Sequence, residues 1–75
     1  MLPQDQAVVI TVSHRRVIVC RRRKRADGSV IYDCARNAED LEHDAMVALA
    51  KAGQPFMTGQ EFICPPELAK RASWT

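Results

Sequence analysis

Residues 17–36 constrain the fold of this chain more than any other stretch. Val17-Ile18-Val19-Cys20 is a β-branched apolar run, Val30-Ile31-Tyr32 is a second, and Asp27-Gly28 lies between them. That is the pattern of a β-hairpin. Aspartate tolerates the left-handed backbone region and glycine adopts it without steric cost. Between the first apolar run and the turn sit five consecutive cations, Arg21-Arg22-Arg23-Lys24-Arg25. They belong to a strand end and not to a floating tail. Strand side chains alternate in direction, so Arg21, Arg23 and Arg25 share one face and Arg22 and Lys24 the other. Two registers fit the turn. A two-residue loop sets Arg22 opposite Asp33 and Arg23 opposite Tyr32. A three-residue loop with a bulge sets Arg21 opposite Asp33 and Cys20 opposite Cys34. In either, Asp33 offsets one of the arginines.

The remaining elements follow from local pattern. Residues 1–6 are a polar lead, and Ala7-Val8-Val9-Ile10-Thr11-Val12 predicts a strand. Ser13-His14-Arg15-Arg16 is a polar break without glycine: a turn, a bulge, or a bend in one long strand. Val30 to Arg36 is the third strand. Asn37 then predicts an N-cap, with Asp40 three residues on. Leu41, Ala45, Ala48, Leu49 and Ala52 recur at spacings of three and four, with Gly53 beyond them, which predicts a helix over 38–52. Gln54-Pro55 connects it to Phe56-Met57 and Gln60-Glu61-Phe62-Ile63-Cys64, a small hairpin or one short strand that Pro65-Pro66 ends. Residues 67–72 suit one or two helical turns, and 1–6 and 73–75 read as flexible ends. The order β-β-β-α-β with a short C-terminal helical turn predicts a single α+β domain over 1–75, a small antiparallel sheet with one helix on one face. The other sheet face is left open to a partner or a second copy.

Length and charge narrow the function classes. A chain of 75 residues buries only about 60% of its unfolded surface, so a homodimer or a bound partner is an expected source of further stability. An apolar fraction of 47% and a charged fraction of 27% are those of a globular protein. The net charge of +2 conceals asymmetry: seven of the eleven Lys/Arg residues lie in 15–25, and four of the nine acids in 39–44. Such a charge distribution steers association. There is no apolar stretch long enough to span a membrane, and the N-terminal residues lack the pattern of a secretory signal. The three cysteines, Cys20, Cys34 and Cys64, form neither a disulfide framework nor a zinc pattern, and suggest small buried hydrophobes in a reducing cytoplasm.

Each candidate site has a plain counterpart. Arg15, Arg16, Arg21, Arg22, Arg23, Lys24 and Arg25 form a basic surface for phosphates or for an acidic protein face, or a solvated hairpin guarding a sheet edge. A two-stranded ribbon can enter a DNA major groove, although Tyr32 is the only aromatic nearby for base stacking. Glu39, Asp40, Glu42 and Asp44 form a secondary acidic surface able to imitate phosphates, and helix-dipole complementarity already accounts for acids there. His43 does not converge with Glu42 and Asp44, because adjacent helix residues point in different directions. No serine or cysteine is set beside an oriented base. The close cysteine pair that opens most zinc sites is missing. The sequence therefore predicts no enzyme, no cofactor and no metal. Trp74 covers the core or anchors a partner.

The order of elements resembles small phage-encoded anti-CRISPR proteins of the type I systems. The likeness is carried by the strand at 8–12, the turn at Asp27-Gly28, the strand end Ala35-Arg36, the alanine-rich helix 45–52, and Phe62-Ile63-Cys64-Pro65-Pro66-Glu67-Leu68. It spans much of the chain and includes no signature motif. The resemblance implies a phage or mobile-element protein in the host cytoplasm. It would be a stoichiometric inhibitor that binds a CRISPR surveillance complex or its nuclease. The DNA-mimicking members of that group are strongly acidic and this chain is slightly basic. Contact of the 21–25 hairpin with guide RNA or an acidic protein surface suits it better than DNA mimicry. A nucleic-acid-binding module using the hairpin directly is the alternative, and an accessory homodimer the third.

Overall fold

The computed structural model describes residues 6–53 and 57–74. Its elements are β1 (Gln6–Ser13), β2 (Arg16–Lys24), β3 (Val30–Cys34), α1 (Ala38–Lys51), β4 (Glu61–Ile63) and α2 (Pro66–Arg71). The strands form one antiparallel sheet in the order β3-β2-β1-β4. This is the α+β architecture that the sequence predicts, with one short strand after the main helix. Of the flexible ends predicted at 1–6 and 73–75, Gln6 opens β1 and Ser73 and Trp74 are docked, as described below. Residues 1–5, Gln54, Pro55, Phe56 and Thr75 lie outside the described residues.

Two hairpins set the register. The polar break after β1 is a turn at His14-Arg15, closed by the pair Ser13 and Arg16. No described non-glycine residue has a positive φ, so this turn lacks the backbone that best matches strand twist. The ladder absorbs the mismatch as an irregularity between Thr11 and Ser13. The second hairpin takes the three-residue loop. The Arg25 N–H donates to the Ser29 carbonyl at 2.8 Å and the Gly28 N–H to the Arg25 carbonyl at 2.9 Å. Gly28 has φ 92°, a value that most residues with a Cβ avoid. The Asp27 carboxylate accepts from the Ser29 N–H at 2.9 Å and hydroxyl at 2.7 Å, which holds it below the usual carboxylate range. Cys20 therefore pairs with Cys34, Arg21 with Asp33 and Arg22 with Tyr32.

One sheet face receives α1. Its stripe of Leu41, Ala45 and Leu49 packs with Val9, Val17 and Val19 from the sheet, Ala35, Cys64, and Leu68 of α2. Thr11 is the one buried polar residue among those described, at 1% exposure. Its hydroxyl donates to the Met57 carbonyl and accepts from the Gln60 N–H at 2.9 Å. The Thr11 backbone adds bonds from Gly59 at 2.7 Å and to Gln60 at 2.9 Å. The turn before β4 is thus fastened to β1 through one residue. Thr11→Val keeps the shape and strands buried polar groups, so a loss of about 1–3 kcal/mol is expected by urea denaturation. Amide exchange should quicken first at Gln60. Unchanged stability would show that water satisfies this turn equally well.

Asn37 sits at the N-cap position of α1 but makes no side-chain cap bond. Its amide instead clasps the C-terminal segment, donating to the Arg71 carbonyl at 2.9 Å and accepting from the Ser73 N–H at 2.9 Å. The Arg36 N–H donates to the Ser73 carbonyl at 2.8 Å. Ser73 and Trp74 are therefore docked, with Trp74 packed against the core cluster.

Candidate interaction surface

The basic run divides as strand alternation requires, and most of its charge is spent inside the molecule. Arg21 and Arg23 both approach Asp33, at 3.8 and 3.2 Å, and the Arg21 guanidinium lies 5.6 Å from the centre of the Trp74 ring. Arg22 points to the open face. It donates to Glu61 at 2.8 Å and to Gln6 at 2.9 Å. Lys24 and Arg25 are exposed at the hairpin tip and have no ion-pair partner among the described residues. Arg16 lies at the other end of β2, about 26 Å from Lys24 at about 3.3 Å per residue, and Arg15 lies in the turn before it. The length of the strand thus lies between Arg15 and Arg16 at one end and the Lys24-Arg25 tip at the other. Arg16 instead approaches Glu42 of α1 at 3.4 Å.

The acidic residues divide too. Glu42 turns inward and accepts from the Val17 N–H at 3.2 Å. Asp44 accepts from Arg71 at 2.7 Å, joining α1 to α2, and that hydrogen bond holds its carboxyl below 3.8. Glu39 and Asp40 are exposed in the first turn of α1. Four acids thus reduce to two at the free end of a helix, where the backbone N–H groups favour them.

The open sheet face is more apolar than a solvated face normally is. Ile63 is 73% exposed, Val30 49% and Tyr32 47%. In its middle runs a row across all four strands, Cys34, Cys20, Val8 and Ile63. Val8 and Cys20 are nonetheless buried. The cover is a polar bridge. Arg22 pairs beside Gln6 and Glu61 beside Ile10, one row to either side, so the Arg22–Glu61 contact passes over Val8. The nearby Glu61 carboxylate also raises the pKa of the Tyr32 phenol above 10.0. A shallow recess of about 370 Å³ opens beside this bridge, lined by Arg22, Arg23, Lys24, Gly28, Val30 and Tyr32.

Burial, and then the hydrogen bond with Cys34, push the Cys20 thiol from 9.0 up to about 12. A thiol with a raised native pKa holds its proton longer folded than unfolded. Its stabilising contribution is complete below pH 9.0 and disappears as pH climbs toward 12. The urea midpoint of the wild type should therefore fall with pH above about 9, and less steeply in Cys20→Ala. Equal slopes in the two proteins would remove Cys20 as the cause.

Among the described residues no cluster of three or more His, Cys, Asp or Glu side chains is placed to hold a metal ion, and no helix is long and apolar enough to cross a membrane. Sequence reading missed the Arg22–Glu61 bridge, the Asn37 clasp and the Thr11 anchor, which all join residues distant in the chain. No family model matches the chain, and no match was found among curated proteins or solved structures.

Proposed function

We propose that this chain is a non-catalytic binding protein that acts by stoichiometric occupation of a partner's surface. Its contact region is the open sheet face together with the Lys24-Arg25 tip. The observation that carries this reading is the juxtaposition of exposed Tyr32 and Val30 with those two cations, which have no ion-pair partner among the described residues. Aromatic anchors beside a charged rim are the composition of protein interfaces. The resemblance to type I anti-CRISPR proteins supplies the class of partner, a CRISPR surveillance complex or its nuclease, and hence a cytoplasmic site of action in the host.

The test is titration into a guide-loaded type I surveillance complex with its nuclease, following target binding and cleavage. Inhibition saturating at a fixed molar ratio supports the proposal, and undiminished cleavage at large excess overturns it. The second reading, direct nucleic-acid binding, draws on the recess between Arg22, Arg23 and Lys24. It requires affinity for free duplex DNA or RNA with a steep salt slope. Internal pairing of Arg21, Arg22 and Arg23 argues for the protein partner, because those guanidinium groups are already committed. Sedimentation of the protein alone checks the third reading, a homodimer closing the open face.

A further inference from the structure

We propose that Cys20 and Cys34 are a modification site, a cross-strand dithiol that closes to an intrachain disulfide by exchange with a low-molecular-weight disulfide such as oxidised glutathione. The two residues are directly opposed in the β2–β3 ladder, and their sulfurs are 3.8 Å apart. Their position in the ladder suits a bridge. The Ala35 N–H donates to the Val19 carbonyl at 2.9 Å, so the N–H of Cys34 points away from β2. The cysteines therefore occupy a non-hydrogen-bonded pair, where opposed Cα atoms come within about 4.5 Å. Disulfides span Cα separations of about 4.4–6.8 Å. Rotation of the side chains then suffices, with no shift of strand register.

The two thiols differ in access. Cys34 is exposed on the edge strand, and Cys20 is buried beneath it at 2% exposure. Cys64 is no rival: it is buried in the helix-side core, with its thiol toward the Pro65 carbonyl at 3.6 Å. The order of steps follows. The Cys34 thiolate attacks one sulfur of oxidised glutathione, the disulfide breaks, and one glutathione leaves with the proton that Cys34 gave up. The Cys20 thiolate then attacks the Cys34 sulfur of the mixed disulfide and expels the second glutathione, which takes the proton from Cys20. Two protein thiols become one disulfide, and the two electrons reduce oxidised glutathione to two thiols. The high pKa of Cys20 fits the role of second attacker, slow until the mixed disulfide stands beside it. The bond would fasten the edge strand to β2 on the open face, beside the row of Tyr32 and Arg22.

The test exposes the reduced full-length chain to excess oxidised glutathione, quenches with an alkylating agent, and reads intact mass and non-reducing peptide maps. Loss of two of the three alkylatable thiols is expected, with the chain lighter by two hydrogens and Cys20 linked to Cys34. Cys64→Ser should behave identically. Cys20→Ala should stop at glutathione on Cys34, and Cys34→Ser should form no intrachain link. A persistent glutathione adduct on wild-type Cys34, a link involving Cys64, or three free thiols after prolonged exposure would each overturn the proposal. The wild-type and Cys64→Ser results decide the matter even if the other variants fold poorly.

Discussion

Leu41→Ala should leave much of the protein unfolded near physiological temperature. Leu41 is 1% exposed, and with Leu49 it supplies the bulk of the buried stripe of α1, whose remaining buried member is Ala45. The fully buried sheet residues of this cluster are Val9, Val17 and Val19, side chains too short to fill the vacated space, and Phe62 of β4 packs against it only partly buried. Leucine-to-alanine changes in such sites cost about 2.7–5 kcal/mol. Domains of this size hold about 0.05–0.15 kcal/mol per residue, so about half the stability is at stake. A fall in melting temperature of more than about 10 °C is expected by circular dichroism. Val47→Ala, on the same helix but exposed, should stay within about 0.5 kcal/mol of wild type. A shift of only a few degrees for Leu41→Ala would mean that the helix does not pack on the sheet through this stripe.

The helix and the hairpin were legible because their signals are local. The spacing of Leu41, Ala45 and Leu49 fixes which face is buried, and Asp27-Gly28 fixes where the chain turns. The register was not legible, because Asp-Gly suits a two-residue and a three-residue loop alike. What decides it is Gly28 in the left-handed region and the Arg25–Ser29 bond. Asn37 shows the limit of reading by residue type. It stands where a cap belongs, yet its side chain serves Arg71 and Ser73, more than thirty residues away. The basic run shows the same limit for charge. Alternation divides the arginines correctly between two faces. Their neutralisation, however, depends on Glu61, 39 residues from Arg22, and on Asp33 serving two guanidinium groups together. A row of cations in sequence is therefore no measure of the free positive surface.

Reversing the tip, Lys24→Glu with Arg25→Glu, should cost at least about tenfold in partner affinity, since each 1.4 kcal/mol is a factor of ten and two charges change sign at the proposed contact. Melting temperature should barely move, because both side chains are exposed and neither has an ion-pair partner among the described residues. Arg22→Glu should do the opposite. It removes the bridge over Val8 and places a second acid beside Glu61, so stability falls first. Asp33→Asn completes the set. It releases Arg21 and Arg23 from their shared carboxylate, and the freed guanidinium groups should raise non-specific affinity for duplex DNA. The salt slope should then steepen by about 0.9 for each phosphate newly met. Together the three variants separate a contact surface from a charged structural edge. If tip reversal spares inhibition and Asp33→Asn leaves DNA affinity flat, the hairpin cations serve only to keep the edge strand β3 from pairing with other chains. If tip reversal alone abolishes inhibition, the contact lies at Lys24-Arg25, the part of the basic run that the fold leaves exposed and without an ion-pair partner among the described residues.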